Sequence, residues 1–192
     1  MGRLIWKPGT MLYPIPAVLV TCGEYDNRIG TNKSNIITIS WIGTICSEPA
    51  MVSVSIRPER YSYNIIRRNG EFAINLTTKK LVFATDYCGV KSGRDIDKFQ
   101  KTKLTPLKAS HIKAPLISES PVNIECKVTE VKKLGSHDMF IAKVLCINAD
   151  EKYINEKGVF NLEDTKPICY CHGHYFCIGK HLGKFGFSVK KK

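Results

Sequence analysis

Residues 35–43, Asn35-Ile36-Ile37-Thr38-Ile39-Ser40-Trp41-Ile42-Gly43, are a β-branched run without a helical period. Close behind, Met51-Val52-Ser53-Val54-Ser55-Ile56-Arg57 alternates apolar and polar residues with period two, as a strand with one buried face does. Upstream, Ala17-Val18-Leu19-Val20-Thr21-Cys22 has the same β-branched character and is ended by Gly23 and the turn-forming Asp26-Asn27. Three consecutive strands are therefore predicted. After Pro58 the pattern changes: Tyr61, Ile65 and Ile66 with Arg67 and Arg68 suit a short amphipathic helix stopped by Asn69-Gly70.

Glu71 to Leu76 returns to strand, Lys80 to Tyr87 reads as a helix ended by Cys88-Gly89, and Ser92 to Phe99 is a glycine-bearing polar loop entering another short helix. Leu104 to Pro121 reads as irregular chain. Val122 to Val131 and Met139 to Ala149 form a long antiparallel hairpin across Lys132 to Asp138. Glu151 to Asp164 is polar, and Ile168 to Ile178 is rich in aromatics and cysteine before Gly179, Gly183 and Gly186. Strands outnumber helices and no βαβ alternation appears, so the fold class is mainly β: an antiparallel barrel or sandwich with short helices at its rim. The 192 residues fit a single domain, with its core at about 14–186.

Apolar residues at 43% and charged residues at 24% are globular proportions. The longest stretch free of Asp, Glu, Lys and Arg, Pro8 to Gly23, is too short for a bilayer and is broken by prolines, so no membrane helix is expected. Met1 to Lys7 lacks the apolar core of a secretion signal, which points to the cytoplasm and to eight free cysteine thiols. Twenty-nine Lys and Arg against 17 Asp and Glu leave a net charge of +12. Such a surface attracts phosphorylated small molecules, acidic lipid and nucleic acid alike. The basic residues are scattered in pairs such as Arg67-Arg68 and Lys79-Lys80, apart from Lys190-Lys191-Lys192.

No Gly-x-Gly-x-x-Gly follows the first strand, and neither a P-loop nor a Gly-x-Ser-x-Gly elbow is present. The segment Cys169-Tyr170-Cys171-His172-Gly173-His174 carries zinc-type donors. On a continuous strand, however, the cysteines would face one side and the histidines the other, so no metal is assigned there. Arg60-Tyr61-Ser62-Tyr63 is the best candidate for RNA stacking, and it carries the alternative reading, a basic nucleic-acid-binding β-barrel without redox activity.

Five stretches taken together are distinctive: Ser34 to Trp41, Val52 to Arg57 with Arg60-Tyr61-Ser62, Gly70 to Leu76, Ser92 to Phe99, and the hairpin from Glu125 to His137. Their order and spacing resemble the flavin reductase-like family of FMN-binding split β-barrels, most closely its flavoredoxin branch, over about Pro14 to Gly186. The resemblance implies a Greek-key split barrel of six strands, a homodimer, and noncovalent FMN in a groove near the dimer interface. It further implies hydride or electron transfer, either as an NAD(P)H:flavin oxidoreductase or as an electron carrier serving a redox partner protein.

By the same resemblance, Ser34, Asn35, Ser40 and Trp41 line the flavin, with the Asn35 amide on ring or ribityl oxygens and Trp41 as an aromatic wall. Ser55, Arg57 and Ser62 flank the phosphate at the start of a helix, a natural anion site. Lys98 falls on a flavin-contacting position, where its ammonium would favour negative charge. His137 is expected at the ring's pyrimidine edge as a protonated or donor imidazole tuning the potential. Tyr170 is expected to cover the ring, with Tyr175 or Phe176 as alternatives.

Overall fold

Alternation along the strands decides which residues face which side, and the computed structural model, which describes residues 2–26 and 30–189, separates two faces accordingly. In chain order its elements are β1 (Ile15–Pro16), β2 (Val18–Asp26), β3 (Gly30–Ile39), β4 (Ile42–Ser47), β5 (Ala50–Ile56), α1 (Tyr61–Asn69), β6 (Glu71–Leu76), α2 (Val82–Val90) and α3 (Lys98–Thr102). These are followed by β7 (Pro106–Leu107), β8 (Leu116–Ile117), β9 (Val122–Lys133), β10 (Asp138–Ala149), β11 (Ile168–Cys171) and β12 (His174–Cys177). Seven strands make one antiparallel sheet in the order β3-β2-β6-β9-β10-β5-β4. A small sheet, β1-β11-β12, and the pair β7-β8 stand apart from it.

One apolar cluster takes Val18, Val20 and Cys22 from β2, Ile37 and Ile39 from β3, Val52, Val54 and Ile56 from β5, and Phe72 and Ile74 from β6. Cys126, Phe140 and Ala142 complete it from β9 and β10, and α1 closes one end with Tyr63, Ile65 and Ile66. Strands from opposite edges share this cluster, so the sheet is rolled into a barrel around it. The intervening residues face outward: Leu19 and Ile36 pack with Leu81, Ala84 and Cys88 beneath α2 and with Phe99 of α3. Ala73 packs under the chain between Ala109 and Leu116.

Several boundaries differ from the sequence reading. The run Asn35 to Gly43 is two strands, because the chain breaks at Ser40-Trp41 and passes to the opposite edge of the sheet; the main sheet therefore has seven strands rather than six. Gly23 does not end its strand: β2 continues through it, with Gly23 at φ 97°, to Asp26. The helix read at Lys80 to Tyr87 is a 3-10 turn, Lys79–Leu81, leading into α2, which runs through Cys88-Gly89 to Val90. Gly89 belongs there because a Cβ would meet Thr38 at 3.3 Å, so the glycine serves helix-to-strand approach rather than termination.

Leu104 to Pro121 is not wholly irregular, since β7 and β8 pair within it. Ile168 to Ile178 is a hairpin turning at His172-Gly173, not one strand. The long hairpin β9–β10 forms as expected, with Leu134 N–H donating to the His137 carbonyl across its turn. Asn27 of the first predicted turn and Lys190-Lys191-Lys192 lie outside the described residues. All eight cysteines are unpaired. No helix among the described residues is long and apolar enough to cross a membrane.

Asn75 is the polar joint of the outer face. Its Nδ2 donates to the Leu19 carbonyl at 2.9 Å and Thr21 Oγ1 at 3.2 Å, while its Oδ1 accepts from Ile117 N at 3.0 Å and Asn123 Nδ2 at 2.8 Å. Truncation would orphan several fully buried groups at ~1–3 kcal/mol each. Asn75→Ala is expected to lose about 3 kcal/mol or more in urea denaturation, whereas Lys108→Ala, at an exposed position, should stay within ~0.5 kcal/mol of the parent.

Candidate functional site

Where Ser40-Trp41 links the two edges of the main sheet, a groove of about 340 Å³ opens. Ile37, Thr38, Ile39 and Ser40 of the β3 side form one wall, and Asp86, Gly89 and Val90 of α2 face them. Trp41, Ser55, Ile56, Arg57 and Arg60 lie at one end, with His137 from the β9–β10 turn, and Tyr170 and Tyr175 from the β11–β12 hairpin form the remaining side. A smaller cavity of about 120 Å³ adjoins it and shares Ile37, Arg60, Gly89 and Val90. Asn35, Tyr61, Ser62, Lys98 and the loop Lys91 to Arg94 line that second space. A larger cavity of about 670 Å³ lies elsewhere, between the 161–167 segment and the chain from Cys177 to His181, and holds none of the predicted site residues.

The smaller cavity is built to receive negative charge. It lies at the start of α1, whose N-cap residue Arg60 makes no side-chain capping bond, so the cap itself leaves the first-turn amides open to another acceptor. Arg60, Lys91, Arg94 and Lys98 gather there against Glu59 alone. Arg94 Nη2 donates to the Glu59 carbonyl at 3.2 Å and lies over the Tyr61 ring at 5.8 Å, which fixes the loop against α1. The Arg60-Tyr61 pair considered for RNA thus belongs to the rim of this cavity.

Asn35 takes a different part from the one predicted. It is buried, and its Nδ2 donates to Ser62 Oγ at 2.7 Å, so it orients the serine rather than presenting its amide to the open groove. Ser62 accepts from Asn35 and is also hydrogen-bonded to the buried Cys22 sulfur, so both neighbours fix its orientation at the cavity wall. Gly93 presses on the other side of this amide: a Cβ there would sit 2.0 Å from Asn35 Oδ1.

Lys98 also departs from expectation. It is buried, and its Nζ donates to the carbonyls of Ile36 and Cys88, both at 2.7 Å, so two of its three donors join β3 to α2. Burial pushes its pKa down from the ordinary lysine value. Its neighbours Cys22 and Cys88 are likewise displaced by burial, to about 12 and about 11, which keeps both as inert thiols.

His137 is half-buried, with Ser136 Oγ 2.9 Å from Nδ1. Burial, Arg57 and Arg60 lower its pKa below the ordinary 6.5, so the imidazole is neutral at pH 7 and the protonated form is not the one presented. Arg57 lies 3.6 Å from Glu59 at an exposed site, a contact of small energetic weight. Tyr170 and Tyr175 stand edge to face at 5.8 Å, and Tyr175 OH donates to Asp86 Oδ1 at 3.4 Å. Burial and Asp86 raise the Tyr175 pKa to about 12, so the phenol stays protonated.

Of the predicted residues, Ser40, Trp41, Ser55, Arg57, His137 and Tyr170 meet in the larger groove, and Asn35, Ser62 and Lys98 in the smaller cavity. Ser34, opposite Gly23 on β3, lines neither. Cys169, Cys171, His172 and His174 form no metal-holding group, and the His172 ring lies on Tyr13 at 4.3 Å. Sequence reasoning missed Arg60 as a cavity residue, though its place at the start of a helix was a usable signal. Asp86 carried no signal, because only the folding of α2 over β3 brings it to the groove.

Residues 10–179 match the flavin reductase like domain. The flavoredoxin of Desulfovibrio vulgaris (Miyazaki F) superposes with a TM-score of 0.88 at 29% identity, covering 98% of this chain and 100% of that one. Flavoredoxin from Methanosarcina acetivorans gives 0.87 at 23% identity over 99% and 98%, a likeness of fold alone. An uncharacterised protein of Pyrococcus abyssi is 30% identical over 153 residues, 80% of this chain and 84% of the relative.

The tight contact at Gly93 gives a direct check on the geometry. Gly93→Ala is expected to displace the Asn35 amide and cost ~1–3 kcal/mol, the range for overpacking a filled site. Gly43→Ala, where nothing lies within 4 Å of the added carbon, should change stability by no more than ~0.5 kcal/mol in the same denaturation assay.

Proposed function

Because the chain belongs to the flavin reductase-like domain family, whose members bind flavins, we propose that it binds FMN across the two adjoining cavities and serves hydride or electron transfer. The observation that carries this reading is the junction of an aromatic-walled groove with a cation-rich, uncapped helix start. A flavin mononucleotide has the matching halves, a flat ring with a polar rim and a phosphate. When bound, the flavin supplies the ring that takes up and passes on hydride or electrons.

The protein's residues divide that work by chemistry. Ser62, oriented by Asn35, lines the phosphate end, and Arg60, Arg94 and the first amides of α1 supply the charge-assisted donors. Lys98 contributes its positive charge from behind while holding the cavity floor together. Trp41, Tyr170 and Tyr175 wall the ring and exclude water from its faces. Ser40, Ser55 and Arg57 offer polar contacts along the rim, and the neutral His137 imidazole offers a single donor or acceptor.

Titrating the flavin-free protein with FMN, followed by fluorescence, tests this assignment. Saturable binding at about one FMN per chain is expected, and Trp41→Ala should weaken it ~10-fold or more while Lys184→Ala, in the exposed C-terminal stretch, should not. Arg60→Ala should lower FMN affinity more than riboflavin affinity, because only FMN carries the phosphate. Equal loss for the two ligands would remove the phosphate from the smaller cavity. Oxidation of NADH or NADPH with excess free FMN marks the reductase form of the function, and turnover only with a separate reductase protein marks the carrier form.

A homodimer and a cytoplasmic setting complete the proposal. Trp41 at the groove is exposed, as are Ile45 on β4 and Phe83 on α2, and a second copy would cover such residues. Sedimentation of the FMN-loaded protein at twice the chain mass is the expected result.

The lowered pKa of His137 sets the pH dependence. Protonation below about pH 6.5 adds a positive charge beside the groove, so FMN should gain affinity from this residue as pH falls through that lowered value. The affinity difference between the parent and His137→Gln should therefore widen below pH 6.5 and be nearly constant above pH 7; a constant difference throughout would place His137 outside the flavin's reach.

A further inference from the structure

We infer that His111, Glu125 and Cys146 form a binding site for a thiophilic divalent cation of the zinc type, on the outer face of the barrel and separate from the flavin site. An imidazole nitrogen, a carboxylate oxygen and a thiol sulfur here all lie within 4.8 Å of one another, the only such group among the described residues. His111 Nδ1 is 3.8 Å from Glu125 Oε2. A tetrahedral zinc with bonds of ~2.0–2.3 Å needs its donors about 3.5 Å apart, so small side-chain rotations close the set.

The backbone brings these residues together in a specific way. Glu125 on β9 faces Cys146 on β10, and the register of that pair shifts between Val144 and Cys146. The resulting irregularity aims Cys146 at the carboxylate, the known effect of a bulge on a side chain's direction. His111 arrives from the chain between β7 and β8, which lies over this part of the sheet.

The carboxylate is already held as a ligand is held. Glu125 is fully buried; its Oε1 accepts from Ser110 N and Asn148 Nδ2, each at 2.9 Å, and its Oε2 accepts from His111 N at 2.7 Å. The Cys146 thiol is hydrogen-bonded to the same carboxylate, so an arriving cation would take the place of that thiol proton. Asn148 Nδ2 also lies 3.6 Å from Cys146 Sγ, so one outer residue orients two of the three donors.

Among the described ion pairs its basic partner is His111 alone. A buried, hydrogen-bonded carboxylate beside a thiol and an imidazole is a mixed O, S and N donor set of the kind zinc takes. The exposed edge of His111 gives an entry path and leaves the fourth position to water. On binding, the Cys146 sulfur–metal bond forms and the thiol proton passes to solvent, so binding releases a proton. The bound ion would tie the 104–121 segment to the barrel wall.

The test uses Co²⁺ on the purified full-length protein after chelator treatment and desalting, with the metal-free sample as spectral blank. One Co²⁺ per chain with a thiolate-to-cobalt charge-transfer band, displaced by equimolar Zn²⁺, is expected. Cys146→Ser should abolish the band, and His111→Ala and Asn148→Ala should each weaken affinity ~10-fold or more, with circular dichroism confirming the fold of each variant. Cys171→Ser, in the separate cysteine- and histidine-bearing hairpin, should leave band and affinity unchanged. Absence of a saturable band in the parent, or a band that survives Cys146→Ser or vanishes with Cys171→Ser, would overturn the assignment.

Discussion

Two residues, Ser40 and Trp41, connect strands that lie at opposite edges of the seven-stranded sheet. In a flat sheet those edges would be six strand spacings apart, about 29 Å, whereas the three steps from Ile39 to Ile42 reach at most about 11 Å. The sheet must therefore roll until β3 and β4 approach, and the core of alternating apolar residues fills the space the roll encloses. The corner is fastened by Ile42 N–H to the Ser40 carbonyl at 3.0 Å and Ser55 N–H to the Trp41 carbonyl at 2.9 Å. Since the rolled edges do not zip together along their length, a seam is left beside the corner, and the larger groove occupies it. The groove is a consequence of closing a sheet with too short a link.

A second constraint sets the groove's width. The α2 wall is held on β3 by three contacts of different kinds: Thr38 Oγ1 donates to the Thr85 carbonyl, Gly89 packs on Thr38 without a side chain, and Lys98 spans the carbonyls of Ile36 and Cys88. An ammonium buried among main-chain carbonyls is costly to desolvate, and its lowered pKa records that cost. The same charge lies under the cavity that collects Arg60 and Arg94, so an anion bound there would offset the desolvation. One side chain thus both joins β3 to α2 and sets the charge under that cavity.

How much of this was legible depended on distance along the chain. The alternation in Met51 to Arg57, the hairpin signal at Leu134 to Asp138 and the stop at Asn69-Gly70 are local, and the observed elements follow them. The corner at Ser40-Trp41 was hidden because β-branched residues continue on both sides of it, and only the partner strands show that the chain has changed edges. Gly89 read as a helix stop since local rules give glycine that meaning; its actual constraint is Thr38, far away in sequence. Lys98, Asn35 and Arg60 were identified or passed over by position, but the direction each side chain takes is set by packing that no local pattern encodes. Glu125, Cys146 and His111 are ordinary residues in sequence and become a donor set only across β9, β10 and the covering segment.

The groove's walls are not equally fixed. β3, β5 and α2 belong to the barrel or are pinned to it through fully buried side chains such as Ile36, Ile56 and Cys88. Tyr170 and Tyr175 instead come from the small β1-β11-β12 sheet, which joins the barrel through Ile168 N–H to the Thr77 carbonyl, the Thr78–Pro167 bridge, the long Tyr175–Asp86 bond and the chain running from β1 into β2. Ile168 is the buried apolar residue of that hairpin, while Phe176 and Cys177 are exposed, so its apolar burial is small beside that of the barrel. Segments with few buried contacts open at lower free energy than the core. The tyrosine side of the groove is accordingly the side that can yield, while the end built on α1 and the β3–α2 seam keeps its geometry.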